Sequence, residues 1–331
     1  MLRIAIVYNQ PQLAREHPWA ESEWEIVEIA QLVKHELQIP GWLPQLYEIR
    51  PDGTWQTRLR NDAPDVIFNL FEGFHPADDS EWQVPTYFES LSIPYTGNRP
   101  DTLRLCRDKA ATRELLHSHG LPIAEGIVID DVRQLDRAMS KLRNYSPWFV
   151  KPANTDASIG IDQSNVVTDS RELRQRCETL LGDYGRVLIE EFLPGREFNI
   201  SIINLDTPQV LPISEIVFTP TTSYFWPIVS YEAKWETGSL ADRCTRPICP
   251  ANIDIDLRRE LERLALRAFE ITSCRHYARI DVRLDANGRP RILEVNPNPG
   301  YHPEAGFSRA LQAAGWTHAE FSRALVRYAR V

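Results

Sequence analysis

Two carboxylates and an amide lie close together in the C-terminal part of the sequence, in a pattern that suits a hard metal ion. Glu294 and Asn296 are two residues apart on one predicted strand, so their side chains point to the same face. Asp281 lies on the preceding predicted strand, and the Asn287-Gly288 turn between the two strands is a strong hairpin signal. Oxygen ligands of this kind favour Mg²⁺, with Mn²⁺ as an alternative.

A solvated sheet face would show the same residues, because acidic side chains are common on exposed strands. Arg279 favours the metal site over this alternative. It lies two residues before Asp281 and therefore on the same face, and a cation beside carboxylates is what a polyphosphate site needs. The hairpin is thus predicted to bind a metal ion together with phosphate.

A lysine ends a second predicted strand, Phe149-Val150-Lys151, and a polar loop follows it up to Gly160. Backbone N–H groups in such a loop, next to a lysine, are one way to cover phosphates. Neither the G-x-x-x-x-G-K-[ST] loop nor G-x-G-x-x-G occurs, which removes the main support for P-loop and dinucleotide-binding sites. The alternative is a plain edge lysine without a role in binding. In both cases we expect the Lys151 side chain to be partly exposed.

A third segment, VLIEEFLPGRE at 187–197, runs from a strand into a Pro-Gly turn with acidic residues on both sides. Phe192 and Leu193 can press on an adenine ring, and a glutamate, Glu190 or Glu197, can accept from ribose hydroxyls. Taken alone, the segment is better explained as a strand–turn–strand unit with acidic ends.

The elements that must position these residues alternate between strands and helices, which predicts an α/β fold with a parallel sheet in its first unit. Strands are predicted at 2–8, 65–70, 127–129, 148–151, 187–191, 198–203, 278–284 and 291–295. Helices are predicted at 26–37, 84–91, 102–119, 132–142, 171–181 and 256–272. We divide the chain into units at 1–98, 99–192 and 193–331.

Composition limits the classes of function. The 331 residues carry a net charge of −9, without a basic cluster, so a nucleic-acid partner is not expected. No apolar run approaches a membrane span and the first residues form a strand pattern, so we expect a cytoplasmic protein without a membrane partner. The five cysteines include no C-x-x-C pair, which argues against a zinc or disulfide framework. Only five of 37 basic residues are lysine, which suggests that lysine is kept where a compact ammonium matters.

Taken together, these segments resemble the ATP-grasp superfamily, and within it the D-alanine–D-alanine ligase family. The resemblance covers nearly the whole chain. It rests on FNLFEG at 68–73, PYTGN at 94–98, RDK at 107–109, VKPANTDASIG at 150–160, EEFLPGREF at 190–198, YEAKWE at 231–236, CPA at 249–251, ARIDVRL at 278–284 and ILEVNPNPG at 292–300. It implies a three-domain fold in which ATP lies between the central and C-terminal domains.

The resemblance also implies roles for individual residues. Nucleotide phosphates are contacted by Lys109 and Lys151 with the loop residue Ser158, adenine and ribose by Glu190, Phe192, Leu193 and Glu197, and the closing loop carries Lys234. Two Mg²⁺ ions are held by Asp281, Glu294 and Asn296, and the tetrahedral intermediate is stabilised by Arg279 and the backbone of Gly300. No side-chain nucleophile is required, so Ser158, His75 and His302 are not read as covalent catalysts.

The substrate pocket is where the sequence departs from the family. Two hydroxyl-bearing residues around the first alanine are replaced by Ala157 and Trp235, and the serine that holds the second alanine's carboxylate aligns with Ala305. Glu72 stands where the family has histidine. The N-terminal glutamate falls in HPWAESEWE, where Glu21 and Glu23 are candidates, Glu23 also for a catalytic role. We add Tyr231 and His302 to the substrate pocket.

These observations predict an ATP-dependent ligase that activates a carboxylate as an acyl phosphate and joins it to an amine, with altered amino-acid specificity. The alternatives are a true D-alanine–D-alanine ligase and a nucleotide-binding protein without ligase activity. The expected partners are ATP and small amino-acid substrates. A homodimer through the first unit is common in similar proteins.

Overall fold

The computed structural model of the protein describes residues 1–17, 20–74, 80–142, 147–219 and 225–330. Within these ranges the strands form three sheets, each backed by helices. No helix in the described part of the chain is long and apolar enough to cross a membrane.

The first unit is a parallel sheet in the order β2-β1-β3, because helices return the chain between its strands. Its elements are β1 (Leu2–Asn9), α1 (Ala20–Glu36), β2 (Trp42–Ile49), α2 (Thr54–Asp62), β3 (Val66–Asn69) and α3 (Ser80–Ser90). The predictions of β1, β3, α1 and α3 are confirmed, but α2 and β2 were not predicted. This edge strand is only half-buried and contains Pro44, so it lacks the continuous apolar run of a central strand.

The central unit is an antiparallel sheet in the order β4-β7-β5-β6. Its elements are α4 (Pro100–Arg107), α5 (Lys109–Ser118), β4 (Gly126–Ile129), α6 (Leu135–Leu142), β5 (Trp148–Pro152), β6 (Val166–Val167), α7 (Ser170–Tyr184) and β7 (Val187–Glu191). The single helix predicted at 102–119 is two helices. Asp108 separates them, since its side chain accepts hydrogen bonds from Ala110 N and Ala111 N and so caps α5.

The third unit is built on the sheet β11-β10-β8-β12-β13, with β9 paired to β8. Its elements are β8 (Glu197–Asn204), β9 (Pro208–Val210), β10 (Ser214–Phe218), α8 (Tyr231–Trp235), α9 (Leu240–Cys244), β11 (Thr245–Ile248), α10 (Ile255–Ile271), β12 (Tyr277–Leu284), β13 (Pro290–Asn296), α11 (Gly306–Ala313) and α12 (His318–Tyr328). The predicted β12–β13 hairpin is confirmed, and Gly288 in its turn has φ 76°, a conformation that favours glycine.

The end of the chain packs on its beginning. Phe321 and Leu325 of α12 share a hydrophobic core with Ile26 and Val33 of α1. The buried His318 lies within 2.8 Å of the Glu36 carboxylate at the end of α1. The first and third units are therefore joined through a common core.

A second seam joins the two units next to β12 and β13. Asn98 is 2% exposed; its amide donates to the carbonyls of Tyr277 and Pro297, and its oxygen accepts from Arg275 N. Gly97 N donates to Nδ1 of His276 at 3.1 Å. Burial, with a contribution from Arg275, lowers the pKa of His276 to about 3, so this ring is neutral.

Candidate functional site

One face of the third sheet carries the predicted metal ligands. In the register of the strands, Asp281 is opposite Glu294 on β13 and opposite Asn199 on β8, while Arg279 is opposite Asn296. Directly opposed residues share a face, so the hairpin brings the three predicted ligands and Arg279 together. Asn199 was not anticipated, because nothing in its local sequence marks it as a neighbour of Asp281.

These side chains are linked by hydrogen bonds. Arg279 binds Asp281 through two contacts of 2.7 Å, from Nε to Oδ1 and from Nη2 to Oδ2. Asn199 donates to Asp281 Oδ1 at 2.7 Å, and Asn296 donates to Asp281 Oδ2 at 3.0 Å and to Glu294 Oε1 at 3.1 Å. The interlocked network holds the carboxylates in place before any ligand arrives.

The donor set fits a hard divalent cation. Two carboxylates and an amide oxygen are ligands that Mg²⁺ prefers, and a half-turn of the Asn296 amide about its last bond would direct its oxygen, in place of its NH₂ group, toward a cation beside the carboxylates. Burial opposes ionisation of Glu294, but Lys109, Lys151 and Arg279 outweigh it and lower the pKa of Glu294 to about 2. No cluster of three or more His, Cys, Asp or Glu suited to a metal occurs in the described ranges, so this mixed set is the candidate.

Strand β5 and helix α5 of the central unit supply cations that face these carboxylates. Lys151 Nζ lies 2.6 Å from Glu190 Oε1, and Arg113 Nη1 donates to Glu190 Oε2 at 3.1 Å. Lys109 Nζ donates to the carbonyl of Thr155 in the loop after β5. The expected exposure of Lys151 is wrong: it is 5% exposed, because it lies diagonally across from Glu190 in the β5–β7 pair and bonds to it.

Aromatic side chains line the space next to the carboxylates. The rings of Phe192 and Trp226 stand edge to face with centroids 5.3 Å apart, and Leu193 is buried beside them. Glu197 is bound by Arg283, whose Nη1 lies 3.0 Å from Oε2. Trp226 and Arg283 are residues that sequence reasoning missed.

The loop after β5 adopts a strained conformation and contacts α8. Ala157 and Ser158 have φ of 56° and 61°, a region that costs non-glycine residues about 1–2 kcal/mol each. Ser158 Oγ donates to the carbonyl of Val229 at 2.9 Å, and Trp235 Nε1 donates to the carbonyl of Ala157 at 3.0 Å. Tyr231 opens α8, its N–H donating to the carbonyl of Ile161 and its ring 6.3 Å from that of Trp235. These contacts place α8 over the loop.

Lys234 of α8 extends into the cleft. Burial and the nearby Arg279 lower the pKa of Lys234, while Glu72, Glu294 and Glu25 oppose this change. The cation therefore lies between the predicted metal ligand Glu294 and the acidic residues of the first unit.

The N-terminal glutamates divide into two roles. Glu23 Oε2 accepts from the backbone N–H groups of Gln12 and Leu13 at 2.7 and 2.9 Å, and so fixes the loop after β1. Glu25, two residues later, interacts with Glu72 and Lys234 and lies 3.9 Å from His302 Nδ1. Glu25 is thus the glutamate that faces the cleft. Glu23 and Glu25 are two residues apart on α1 and therefore point to different sides of the helix. The sequence alone does not show which of the two sides faces the cleft.

Desolvation and the nearby Glu25 raise the pKa of Glu72, the carboxyl predicted to stand where the family has histidine, to about 8. The side chain of Glu21 and all of His75 lie outside the described residues.

The far end of the cleft is bounded by Gly300, Ala305 and α11. Ala305 is the N-cap of α11 and forms no side-chain capping bond; its Cβ lies 3.8 Å from where a Cβ at Gly300 would stand. Arg309, which sequence reasoning missed, is half-buried and places Nη2 beside Gly306. It forms no ion pair with any described residue.

Comparisons with known proteins agree on one family. A family model described as "D-ala D-ala ligase C-terminus" matches residues 115–327. A D-alanine–D-alanine ligase of Synechococcus sp. (strain JA-3-3Ab) is 31% identical over 82% of this chain and 79% of the relative, and one of Mannheimia succiniciproducens is 32% identical over 78% and 79%. The crystal structure of D-alanyl-alanine synthetase A from Vibrio cholerae aligns with 100% of this chain and 99% of its own, with a TM-score of 0.78 at 20% identity. The shared fold is the ATP-grasp fold.

Proposed function

Because this chain belongs to the D-alanine–D-alanine ligase family of ATP-grasp enzymes, which form peptide bonds, we propose that it joins an amino acid to a second amino acid or to a small amine, with a specificity that differs from D-alanine–D-alanine. The proposed substrates are ATP and two small molecules, one with a carboxylate to be activated and one with an amine to attack it. The observation that carries the ligase chemistry is the opposition of the Asp281–Glu294 face to Lys109 and Lys151 across one cleft.

The proposed reaction has two steps. A substrate carboxylate oxygen attacks the γ-phosphorus of ATP, the bond to the β–γ bridging oxygen breaks, and an acyl phosphate and ADP form. The amine then attacks the acyl carbon, the C–O bond to phosphate breaks, and the nitrogen loses a proton as the amide forms. Both steps move negative charge between oxygens, so the protein's task is mainly electrostatic.

The residues of the cleft divide this task. Lys109 and Lys151 hold phosphate oxygens, and Lys234 reaches the transferring phosphoryl group from α8. Arg279 binds Asp281 through Nε and Nη2. In our proposal, its Nη1 and the backbone N–H of Gly300 donate to the substrate oxygen. Mg²⁺ or Mn²⁺, held by Asp281, Glu294 and Asn296, would neutralise charge on the phosphates.

Altered specificity is supported by three side chains that lack the family's hydroxyl groups. Ala157 and Ala305 carry no polar atom, and the indole N–H of Trp235 is already used on the carbonyl of Ala157. A site that loses hydrogen-bond partners of a substrate loses discrimination for it. Trp235 also offers a broad apolar face beside Lys234, which lies 4.9 Å above the ring.

A charged side chain, Arg309, lies next to the position where Ala305 lacks the hydroxyl group that holds the second alanine's carboxylate in the family. Arg309 Nη1 donates to the carbonyl of Glu304, its Nε is buried without a partner among the described atoms, and burial lowers the pKa of its guanidinium. A half-buried cation without an ion pair favours an anionic group nearby. We therefore place the carboxylate of the amine-bearing substrate at Arg309.

Supplying D-alanine tests the proposal directly. With ATP and Mg²⁺, we expect turnover far below ~1 s⁻¹ at millimolar D-alanine, since each lost hydrogen bond to a charged group is worth ~1.5–3 kcal/mol. Phosphate release and dipeptide are measured together, and a panel of amino acids then seeks the native pair by mass spectrometry of products. Turnover above ~1 s⁻¹ with D-alanine would establish the second candidate, a D-alanine–D-alanine ligase, which the curated relatives favour.

A further inference from the structure

A closed ring of buried hydrogen bonds holds Tyr301 at both of its ends. At one end, Nε2 of His318 lies 2.9 Å from the backbone carbonyl oxygen of Tyr301, and Nδ1 of the same ring lies 2.8 Å from both oxygens of the Glu36 carboxylate. At the other end, the phenol of Tyr301 lies 3.0 Å from Ser322 Oγ, which donates to Glu36 Oε2 at 3.0 Å. One carboxylate at the end of α1 therefore supports both contacts of Tyr301.

The chemistry of these groups fixes the direction of each hydrogen bond in the ring. A backbone carbonyl and a carboxylate only accept, so both ring nitrogens of His318 donate. Since the Ser322 hydroxyl already donates to Glu36, it accepts from the phenol of Tyr301. Each of the four side chains is at most 9% exposed, so a bond broken in this ring leaves a buried polar atom without a partner. The ring therefore favours one position of Tyr301.

Tyr301 lies between two residues of the candidate site. Gly300 precedes it and is the proposed donor of a backbone N–H to the substrate oxygen, and His302 follows it, with Nδ1 3.9 Å from Glu25. Gly300 lies in no helix or strand, and neither its N–H nor its carbonyl forms a hydrogen bond with the residues that the structure describes. The orientation of the Gly300 backbone therefore depends on how its neighbour Tyr301 is held.

We propose that His318 is a positioning residue for the ligase reaction: oriented by Glu36, it holds the Tyr301 carbonyl and so keeps the N–H of Gly300 directed at the substrate oxygen. The assignment rests on the proposed ligase function. A backbone donor stabilises developing negative charge only when it is in place beforehand, and removal of one such donor typically costs about 10²–10³-fold in turnover. A donor that is displaced loses part of that factor, because the geometry of the reacting groups is no longer held.

A double variant tests this role without endangering the fold. His318→Phe alone would leave Glu36 buried without its partner. His318→Phe/Glu36→Met removes the ring nitrogens together with the charge, and each new side chain is close in size to the one it replaces. With the amino-acid pair that gives most product in the panel, we expect kcat to fall at least about 10-fold, while the Kd for ATP with Mg²⁺ in calorimetric titration stays within about twofold.

Two single variants separate the position of Tyr301 from the general packing of α1 on α12. In Glu36→Gln, the new amide can donate to Nδ1 of a neutral His318 ring while Nε2 still donates to Tyr301, so we expect kcat within about threefold of the wild type. Arg323→Met is the matched control, because Arg323 Nε donates to the Glu36 backbone carbonyl at 2.9 Å and joins the same two helices through a bond that does not involve Tyr301. This control should keep the wild-type kcat.

NMR of protein labelled with ¹⁵N-glycine adds a measurement that needs no substrate. We expect the Gly300 amide resonance to shift or broaden in the double variant and to keep its wild-type position in Arg323→Met. A wild-type kcat or an unchanged Gly300 resonance in the double variant, or an equal loss of kcat in the control, would overturn the role of His318. If the wild type forms no product from ATP with any pair of the panel, the proposed function is refuted instead, and the Gly300 resonance still decides whether His318 positions this backbone.

Discussion

The charged side chains in the cleft differ in how tightly their hydrogen-bond partners hold them. Asp281 is bound by Arg279, Asn199 and Asn296, whereas Glu294 accepts only from Asn296 among the described residues. Glu294 is also the carboxylate whose pKa the nearby lysines and Arg279 lower, against the effect of burial, which favours its ionised form. It is therefore the ligand with the most freedom to bind a cation.

Glu294→Gln keeps the shape of that side chain and removes its charge. We expect turnover in the presence of Mg²⁺ to fall at least ~10²-fold, because charge on the transferring phosphoryl group is no longer balanced. The measurement is ATP hydrolysis with the best amino-acid pair from the panel. Glu270→Gln, on the exposed side of α10, serves as the control and should retain full activity. Full activity of Glu294→Gln in EDTA would remove the metal assignment.

Strand pairing in the central sheet decides how Lys151, a lysine of the proposed phosphate site, is held. β7 lies between β4 and β5, and Glu190 on β7 receives both Lys151 from β5 and Arg113 from α5. Glu190 is 1% exposed, so both cations compensate a charge that has no access to water. A nucleotide phosphate that draws Lys151 away leaves Arg113 on the carboxylate.

Lys151→Met is expected to lower the free energy of unfolding by about 3 kcal/mol, because it removes one partner of a buried ion pair. It should also weaken ATP binding. Urea denaturation and calorimetry measure the two effects. Lys151→Met/Glu190→Gln should recover part of the stability but none of the affinity, and Lys141→Met, exposed on α6, should change neither. Wild-type affinity in Lys151→Met would exclude this lysine from the phosphate site.

At the scale of the whole molecule, the cleft depends on two seams between the first and third units. One is the core shared by α1 and α12, and the other joins 97–98 to the start of β12 and to Pro297. His276 lies in the second seam, neutral and 7% exposed, where its Nδ1 must accept from Gly97. Since Pro297 directly follows the proposed metal ligand Asn296, the seam also fixes the end of β13.

This histidine makes stability depend on pH in a defined direction. Its folded pKa of about 3 is below the unfolded value of 6.5, so the unfolded chain binds the extra proton and stability is lost as pH falls below 6.5. Between pH 6.5 and 5 the loss from this group is about 2 kcal/mol. We expect His276→Gln, whose amide oxygen can accept from Gly97, to show a shallower dependence in urea denaturation. His119→Gln, exposed after α5, should keep the wild-type slope, and identical slopes for all three proteins would contradict the prediction.

Local patterns in the sequence predict much of this fold and of the candidate site. The hairpin follows from its Asn-Gly turn and the alternation around it, and that alternation places Arg279 on the same face as Asp281, as register confirms. Helices such as α7 and α10 follow from apolar residues at helical spacing, which is a local property of the sequence. Motif order was sufficient to indicate the family, because each motif is a short contiguous segment.

Contacts between distant segments were decided only by the tertiary structure. Lys151 is buried because β7 brings Glu190 to it, and Glu25 rather than Glu23 faces the cleft because of how α1 is rotated over the sheet. His318 meets Glu36 across 282 residues, and Arg283 meets Glu197 across 86. No periodicity or turn signal encodes such pairs, since they arise when whole elements pack and the burial of each charge is settled by its partner from another element.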